Sequence, residues 1–470
     1  MKYHKSNFSQ SITRRDALKV MGGAALSLLF GYDHSKKLIA QTKKPNVIFV
    51  LTDDHRWDAM SCMGHPFLKT PNLDRIANEG ILFENAFVTT SLCSPSRASF
   101  LSGQYAHTHG VIHNYTPWNE SNTTFLELIK KAGYDTAFIG KWHMPGEGLP
   151  KLRGLDHFIT FTMLSGQGVY YDCPLFIDGV ETERKGKYIT EDLTDFALKF
   201  IEKKRNNPFC LYLSHKAAHY GFRPPKHLNH LYDDVDLKLP KESDIWIPFT
   251  NANYITGQIL PMNFMYRNYC ETLVSVDEQL GRIVKKLEEM NELDNTVIIY
   301  SADNGYFWGE HGNIDKRLAY EESIRIPFII RYPGLIKDPG RRAKQMALNI
   351  DLAPTLLDIL NVPIPANMQG MSLKPIILSD KSKGRESWLY EYCSELTSNV
   401  PGITAVRTEN YKYIEYQNNA WPSELFDLTK DPGERNNIIK TGRGKVLLKE
   451  LKKEMERIKI ETEFKPLENM

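Results

Sequence analysis

The sequence predicts an α/β fold in which a large, mostly parallel sheet is covered by helices on both faces. Short apolar runs rich in Val, Ile and Phe alternate with longer segments of helical periodicity. Strands buried on both faces have this nearly continuous apolar character, and the helices between them supply the crossover connections. The predicted strands are 47–51, 136–139, 209–213, 296–300 and 326–330, and the predicted helices are 123–131, 191–204, 267–290 and 351–360.

Beyond residue 380 the pattern changes to short runs separated by turn residues, at 388–392, 403–407 and 411–416. This pattern predicts a small antiparallel sheet, and the Leu and Lys spacing of 445–458 predicts a closing amphipathic helix. We therefore expect a main domain at 41–380 and a C-terminal α+β subdomain at 381–470. The stretch 239–261 is expected to form a long surface loop.

The composition is that of a globular protein, and it excludes partners that are held by a strong overall charge. With 470 residues, 41% of them hydrophobic, the chain can build one large core and a smaller companion. A formal net charge of +2 gives no global attraction to nucleic acid or to an anionic membrane. The six scattered cysteines form neither a disulfide framework nor zinc-type pairs.

The N-terminal segment, residues 1–40, is expected to be an export signal of the twin-arginine type. Arg14 and Arg15 precede an apolar run from Val20 to Phe30. This run of 11 residues is too short for a membrane helix, which needs roughly 20. No cysteine directly follows it to carry a lipid anchor. We expect no stable membrane insertion and a mature protein in the periplasm or outside the cell.

Polar residues follow several predicted strands at the points where those strands end. In open α/β sheets the ligand binds beyond the carboxyl ends of the strands, so these residues are candidates for a site. Each group alone could be an ordinary turn, but the shared position at one sheet edge favours a common site. The candidates are Asp53 and Asp54, Lys141 and His143, His215 and His219, and Asp303 and Asn304.

Four of these residues offer only oxygen ligands: Asp53, Asp54, Asp303 and Asn304. An all-oxygen set suits a hard divalent cation, with calcium as the leading candidate, rather than zinc or copper. Close carboxylates would also raise one another's pKa unless a cation lay between them. The alternative is that the four residues form separate solvated turns that never meet.

Cys93 begins a predicted helix that has Pro95 in its first turn and Gly103 at its end. At a helix N-terminus we expect a cysteine to have a lowered thiol pKa and to lie near a bound anion. From spacing alone, a cysteine hydrolase that uses His143 or His219 also stays open.

The run Cys93-Ser94-Pro95-Ser96-Arg97, with Leu101-Ser102-Gly103, resembles the signature of type I sulfatases. In that family a maturation enzyme oxidises the cysteine to formylglycine, an aldehyde. Two positions depart from the family pattern: Ala218 stands before His219, where proline is frequent, and Ser102 replaces a threonine. Further elements follow in the family's order: Asp53-Asp54, Gly140-Lys141-Trp142-His143, His219, Asp303-Asn304-Gly305, Gly309-Glu310-His311-Gly312, Asp315-Lys316, Glu424-Leu425-Phe426-Asp427-Leu428 and Asp431-Pro432-Gly433-Glu434.

The resemblance implies an alkaline-phosphatase-like sandwich, a catalytic domain at 41–380, one calcium ion and a sulfate monoester as substrate. Calcium would be bound by the four oxygen-ligand residues and by hydrated formylglycine at position 93, one hydroxyl of which attacks sulfur. The resemblance further implies that His219 is the general acid, supported by Lys316, with His215 as the fallback. It implies that His143 is the base that releases sulfate, and that Arg97 and Lys141 orient the diol.

A sulfated sugar is the expected substrate, and N-acetylglucosamine-6-sulfatase-like bacterial enzymes are the group that the chain resembles within the family. His113, Tyr115 and Trp118 lie in a loop with aromatic and polar groups that suit a sugar. Alternatively, Tyr115 and Trp118 pack against the rest of the protein and hold the loop in place. His215 and His311 are further substrate-binding candidates. The alternatives are a phosphate ester or phosphonate hydrolase of the same superfamily and a glycan-binding descendant without catalysis.

Overall fold

A computed structural model of the chain describes residues 43–146, 149–150, 152–237, 239, 262–395 and 398–466. The predicted export signal at 1–40 and nearly all of the predicted loop at 239–261 lie outside the described residues. Among the helices that the structure describes, none is both long and apolar enough to cross a bilayer.

The predicted sheet forms the centre of the molecule and has ten strands. The strands of the described chain are β1 (Asn46–Thr52), β2 (Ile81–Phe83), β3 (Ala86–Phe87), β4 (Asp135–Gly140), β5 (His157–Thr160), β6 (Leu175–Ile177), β7 (Val180–Thr182), β8 (Phe209–Ser214), β9 (Thr296–Ala302), β10 (Phe307–Trp308), β11 (Ile314–Asp315), β12 (Phe328–Arg331), β13 (Arg341–Ala343), β14 (Ala347–Leu348), β15 (Ser387–Tyr392), β16 (Ile403–Thr408), β17 (Tyr411–Tyr416) and β18 (Glu424–Asp427). The order in the main sheet is β13-β2-β12-β9-β1-β8-β4-β5-β6-β7, and β9, β1, β8, β4 and β5 run parallel. This arrangement confirms the predicted fold class.

All five predicted apolar runs are strands, but one of them begins later than predicted. Strand β12 starts at Phe328 rather than Ile326, because Pro327 has no amide hydrogen to donate to a neighbouring strand. The strands that the sequence did not predict in this sheet have three or four residues. Runs of that length are too short to show a period of two.

The central strands have apolar faces on both sides of the sheet. Every residue of β1, β8 and β9 is buried. Along β1, Val47, Phe49 and Leu51 belong to one hydrophobic cluster, whereas Ile48 and Val50 belong to another. Successive side chains of a strand point to opposite faces, so a strand with a core on each side reads as a continuous apolar run.

Helices cover both hydrophobic clusters. They are α1 (Pro71–Asn78), α2 (Cys93–Ser102), α3 (Ala106–His109), α4 (Phe125–Lys131), α5 (Ile189–Glu202), α6 (Met262–Glu289), α7 (Glu321–Ile324), α8 (Leu352–Ile359), α9 (Lys374–Leu378) and α10 (Gly442–Glu461). Helix α2 begins and ends as predicted, and Gly103 closes it with a φ of 69° that favours glycine. Helices α2 and α8 pack with the Phe49 cluster, and α5 and α6 pack with the Val50 cluster.

The C-terminal segment forms the predicted antiparallel sheet, in the order β15-β16-β17-β18. Its Trp388 packs against Phe87 with ring centroids 5.2 Å apart. Both rings belong to the hydrophobic cluster that covers one face of the main sheet. Residues from Pro45 onward form one compact unit, so the change of architecture lies within a continuous body, and a boundary at residue 380 stays a prediction.

Candidate active site

Residues that follow the central parallel strands share one edge of the sheet. Thr52 pairs with Ala302 at the ends of β1 and β9, so Asp53 and Asp303 both lie one residue beyond that edge. Lys141 follows β4, which pairs with the other side of β8. The topology therefore brings together groups that are about 90 to 250 residues apart in sequence.

The predicted metal ligands meet in one buried cluster. One oxygen from each of Asp53, Asp54 and Asp303 and the sulfur of Cys93 lie within 4.8 Å of one another. The Asp54 amide donates to Asp303 Oδ1 at 3.1 Å, and Asn304 Nδ2 donates to Asp54 Oδ1 at 2.6 Å. Asp54 has a φ of 53°, an uncommon value for a non-glycine residue. The alternative of separate solvated turns does not hold.

Two oxygens of this cluster fit a cation. Asp54 Oδ2 and Asn304 Oδ1 are buried and have no hydrogen-bond partner among the described residues, which is unfavourable unless another group binds them. Burial raises the pKa of Asp54 to about 7, with Asp53 and Asp303 adding to the rise and Lys316 opposing it. A divalent cation would bind the free oxygens and stabilise the ionised carboxylates. The donor set therefore fits calcium.

Cys93 lies at the start of α2, with its side chain buried in the cluster. Its sulfur is 3.6 Å from Asp53 Oδ1 and 3.2 Å from Lys316 Nζ. Burial raises the pKa of the Cys93 thiol, and the attraction of Lys141 and Lys316 does not offset it. The expected lowering of this pKa is therefore wrong, because the loss of hydration outweighs the helix N-terminus.

A buried neutral thiol is a poor nucleophile, because the thiolate is the reactive form. The hydrogen-bond partners of the Cys93 sulfur are Asp53 and Lys316, and neither is a histidine. Within the described residues, Cys93 thus has no hydrogen bond to a histidine that would activate it, as a cysteine hydrolase needs.

Each carboxylate of the cluster is paired with a buried cation. Lys141 Nζ donates to Asp53, Lys316 Nζ donates to Asp54, and Arg97 Nε and Nη2 donate to Asp303 Oδ2 at 2.9 Å and 2.7 Å. Arg97 Nη1 also donates to Ser214 Oγ at 2.6 Å and to the Lys141 carbonyl at 3.0 Å. Three cations therefore lie around Cys93 where a bound anion would be placed.

The position of Lys141 depends on a glycine. Gly140 has a φ of 119°, and a Cβ there would lie 1.8 Å from the Ser214 carbonyl oxygen. Only glycine allows this approach. It lets the Lys141 amide donate to the same oxygen at 2.8 Å, which holds the lysine at the strand tip.

His143 is buried beside the start of α2. The Ser94 hydroxyl donates to the His143 carbonyl at 2.8 Å, so Nδ1 of His143, 3.2 Å from Ser94 Oγ, acts as the donor. Burial lowers the pKa of His143, and Lys141 lowers it further. The neutral ring then presents Nε2 as a proton acceptor, as a base requires.

His219 lies closer to the cluster than its competitor His215. A ring nitrogen of His219, an oxygen of Asp53 and the Cys93 sulfur lie within 4.8 Å of one another. His215 is 1% exposed, and both of its ring nitrogens are without a hydrogen-bond partner among the described residues. Geometry therefore favours His219 as the histidine of the reacting centre, and gives no support to His215 as a substrate contact.

The other predicted sugar-binding residues occupy different environments. Trp118 is 7% exposed and packs edge-on against Trp142 with ring centroids 5.8 Å apart, so the packing alternative holds for it. Tyr115 is 53% exposed, and His113 Nδ1 is 2.9 Å from Thr116 Oγ1. His311 is partly exposed and stacks on Tyr320 at 3.9 Å. The candidates that stay available are His113, Tyr115 and His311.

Three residues that make polar contacts in the site were given no role by the sequence analysis. Ser94 and Ser214 lie beside predicted positions, and their place next to Cys93 and at the end of β8 is the signal that could have identified them. Gln167 Nε2 lies 2.8 Å from His219 Nε2. Gln167 belongs to a turn without any recognisable motif, so nothing in the sequence pointed to it.

Comparisons with known proteins identify the family to which the chain belongs. A family model described as Sulfatase matches residues 45–362, and one described as N-sulphoglucosamine sulphohydrolase, C-terminal, matches 309–461. The chain is 36% identical, over 88% of its length and 86% of the relative's, to an N-acetylglucosamine-6-O-sulfatase of Bacteroides thetaiotaomicron. It is 32% identical to the human N-acetylglucosamine-6-sulfatase, covering 86% of this chain and 82% of that one.

A solved structure extends the likeness to three dimensions. It has a TM-score of 0.83 and 32% identity, and the match covers 90% of this chain and 98% of that one. It is described as a complex with its substrate D-glucosamine-2-N,6-O-disulfate. The family model covers more than half of the chain. The chain belongs to the sulfatase family and is a sulfuric ester hydrolase.

Proposed function

We propose that the protein hydrolyses a sulfate monoester on a carbohydrate, with the 6-sulfate of N-acetylglucosamine at a chain end as the leading substrate. The observation that carries this proposal is the convergence of Cys93, three carboxylates and three cations at one buried strand edge. The sugar is supported by the names of two relatives and by the sulfated glucosamine bound to a similar structure.

Calcium is the proposed cofactor. Asp53, Asp54, Asp303 and Asn304 would hold it, together with the side chain at position 93, and the free oxygens of Asp54 and Asn304 support this assignment. When bound, calcium would supply positive charge for the sulfate oxygens. Its binding would also leave the lysines that now contact Asp53 and Asp54 freer to contact the substrate.

The proposed nucleophile is the hydrated aldehyde made from Cys93 by a maturation enzyme. The diol would provide one hydroxyl for attack on sulfur and a second whose deprotonation releases sulfate. A neutral, buried thiol surrounded by cations supports this view, because such a thiol is a poor nucleophile as it stands. Arg97 and Lys141 would hold the diol and stabilise the negative charge that develops in the transition state.

Two histidines would move the protons. His143, a neutral ring with Nε2 free to accept, would take the proton of the second hydroxyl. His219 would protonate the departing sugar oxygen, and Lys316 would support it. Burial lowers the pKa of His219, so its protonation would depend on the anionic substrate, whose negative charge favours the imidazolium form.

Export and substrate contacts complete the proposal. Residues 1–40 would direct the chain to the periplasm or the exterior, where sulfated glycans are met. His113, Tyr115 and His311 would contact the sugar, since their side chains are at least partly exposed.

The test is a panel of defined sulfated mono- and oligosaccharides, including N-acetylglucosamine 6-sulfate, with sulfate release measured for the calcium-loaded protein. The aryl esters 4-nitrophenyl sulfate, phosphate and phenylphosphonate are measured beside it. A peptide mass for residue 93 reports the fraction of aldehyde in the same preparation. We expect sulfate release from a terminal 6-sulfated sugar and much slower cleavage of the phosphorus esters.

Three outcomes would contradict the proposal. Faster hydrolysis of the phosphate or phosphonate ester would favour the phosphohydrolase alternative. Binding of the panel without turnover, in protein that carries the aldehyde and calcium, would favour a glycan-binding descendant. Full activity in protein that carries only unmodified thiol would exclude the diol.

A further inference from the structure

Gln167 contacts His219, the histidine to which the proposed function assigns protonation of the leaving group. Its side-chain Nε2 lies 2.8 Å from Nε2 of His219. The other ring nitrogen, Nδ1, lies 3.2 Å from the Tyr220 carbonyl oxygen. Nδ1 is therefore the donor to that oxygen, and Nε2 accepts from the Gln167 amide. The nitrogen that must protonate the leaving oxygen is thus the one that Gln167 contacts.

This contact cannot persist when His219 acts on the substrate. A ring nitrogen has one in-plane position for a hydrogen-bond partner. Once Nε2 carries a proton it no longer accepts from an amide N–H, and that proton has to point at the leaving oxygen. The Gln167 amide must therefore turn away, which leaves it able to bind the sugar that carries this oxygen.

The backbone of the Gln167 turn is held in place, so the change is confined to the side chain. The Gly166 and Val169 amides donate to the Thr162 and Gly166 carbonyls, both at 3.0 Å. The Tyr170 hydroxyl donates to the His219 carbonyl at 2.7 Å, which ties the end of the turn to the same histidine. The Gln167 Oε1 atom has no hydrogen-bond partner among the described residues.

We propose that Gln167 is a specificity-determining residue, whose amide binds a hydroxyl or acetamido group of the sugar next to the ester oxygen that leaves. The inference rests on the proposed function, because it takes His219 as the proton donor. An amide offers both a donor and an acceptor, which matches neutral sugar substituents better than a second sulfate. An aryl sulfate has no such substituent and would not use this contact.

The test compares Gln167→Met with the wild-type protein on two substrates. Methionine has a similar size but lacks the amide. The substrates are 4-nitrophenyl sulfate and the sugar sulfate that the wild-type protein hydrolyses fastest in the panel above. The expected result is a loss of kcat/KM on the sugar of about 10-fold, mainly through a higher KM, as for one lost hydrogen bond. On the aryl ester, kcat/KM should change by less than about 3-fold.

Leu164→Ala is the matched control, because Leu164 is in the same turn and fully exposed. This variant should have the wild-type kcat/KM on both substrates. Unchanged kinetics of Gln167→Met on the sugar would overturn the inference, and so would equal losses on both substrates, which would indicate a role in holding His219 alone. If the wild-type protein releases sulfate from neither substrate, the proposed function has failed, which is a distinguishable result.

Discussion

The protein contains two buried ionic clusters that resemble each other in charge but differ in what lies next to their buried oxygens. The strand-tip cluster consists of Asp53, Asp54, Asp303, Asn304, Arg97, Lys141, Lys316 and Cys93. The junction cluster consists of Glu321, Arg407, Lys412 and Glu434, and joins α7 to the C-terminal sheet. Both clusters have equal numbers of carboxylates and cations.

In the junction cluster both carboxylates contact cations of the protein. Lys412 Nζ lies 3.0 Å from Glu321 and 2.7 Å from Glu434, and the Glu321 amide donates to Glu434 at 2.8 Å. Burial raises the pKa of Glu434 to about 7, as it does for Asp54. A shifted carboxyl pKa therefore does not identify the active site.

The strand-tip cluster has two oxygens without a hydrogen-bond partner, on Asp54 and Asn304, beside a modifiable side chain, whereas the Glu434 oxygen of the junction cluster lies 2.7 Å from the Lys412 ammonium. We infer that the first cluster is arranged to bind a cation and an anion from outside, whereas the second neutralises its own charges. Three changes in the protein or its medium test this distinction, and a fourth concerns a buried cation outside both clusters.

The largest effect is expected for Cys93→Ala. Removal of the nucleophile should lower kcat on any sulfate ester by at least about 10³-fold, with little change in the melting temperature of the folded protein. Rates are measured at saturating substrate. Cys62→Ala, at a partly buried cysteine outside the cluster, is the control for loss of a thiol. Near wild-type turnover by Cys93→Ala would contradict the assigned role of the strand-tip cluster.

Lys412→Met should affect stability and spare catalysis. Lys412 is 1% exposed at its side chain and contacts both glutamates of the junction cluster. Removing one partner of a buried ionic pair leaves a buried carboxylate uncompensated, so we expect a loss of about 3–5 kcal/mol in the free energy of unfolding. Denaturant titration measures it. A folded variant whose turnover falls in proportion to its stability would contradict the distinction between the two clusters.

Calcium should remove only one part of the pH dependence of stability. Asp54 and Glu434 have pKa values raised from 3.8 and 4.5 to about 7. The folded state therefore keeps protons that the unfolded state releases, and stability falls as pH rises between about 4 and 7. Each group contributes a slope of at most about 1.4 kcal/mol per pH unit.

The measurement is the free energy of unfolding against pH, in calcium and in chelator. Calcium should abolish the part of the pH-dependent slope that is due to Asp54, because it stabilises the ionised carboxylate. The part of the slope that is due to Glu434 should remain. Glu434→Gln should remove that remainder. A slope that calcium abolishes entirely would show that the two clusters are coupled.

The smallest effect at pH 7 is expected for Lys216, a buried cation without a hydrogen-bonded carboxylate among the described residues. Its ammonium has no hydrogen-bond partner among the described residues and lies 3.4 Å from the ring centroid of Tyr170. Burial lowers its pKa from 10.5 to about 7. Because the unfolded chain binds this proton more tightly, stability should rise as pH increases from 7 to about 10.5.

In Lys216→Met this rise of stability with pH should disappear. At pH 7 the free energy of unfolding of the variant should exceed that of the wild type by about 1 kcal/mol. Thermal unfolding at several pH values is the measurement. A lower stability at every pH would show that the contact with Tyr170 outweighs the cost of burying the charge.

Several parts of the fold and site followed from the sequence because their causes are local. Continuous Val- and Ile-rich runs predicted β1, β8 and β9, since a strand with a core on both faces needs apolar side chains throughout. Pro95 and Gly103 marked the ends of α2. The oxygen-ligand set of Asp53 and Asp303 could be named because both residues directly follow such strands.

Other features depend on groups that only folding brings together. The Cys93 thiol has a raised pKa because of how deeply α2 is buried, which the residues around it in sequence do not reveal. Trp118 lies in the core rather than at the surface because Trp142, from another segment, packs against it. The contact of Gln167 with His219 spans 52 positions.

The sequence by itself determined which segments form the strands of the sheet and the helices between them, and which chemical groups follow those strands. Hydrophobic periodicity and residue type are properties of neighbours along the chain. Tertiary structure alone decided which of those groups are desolvated, which oxygens stay without partners, and which histidine reaches Cys93. Those properties depend on distances between segments far apart in sequence, and no local pattern encodes a distance.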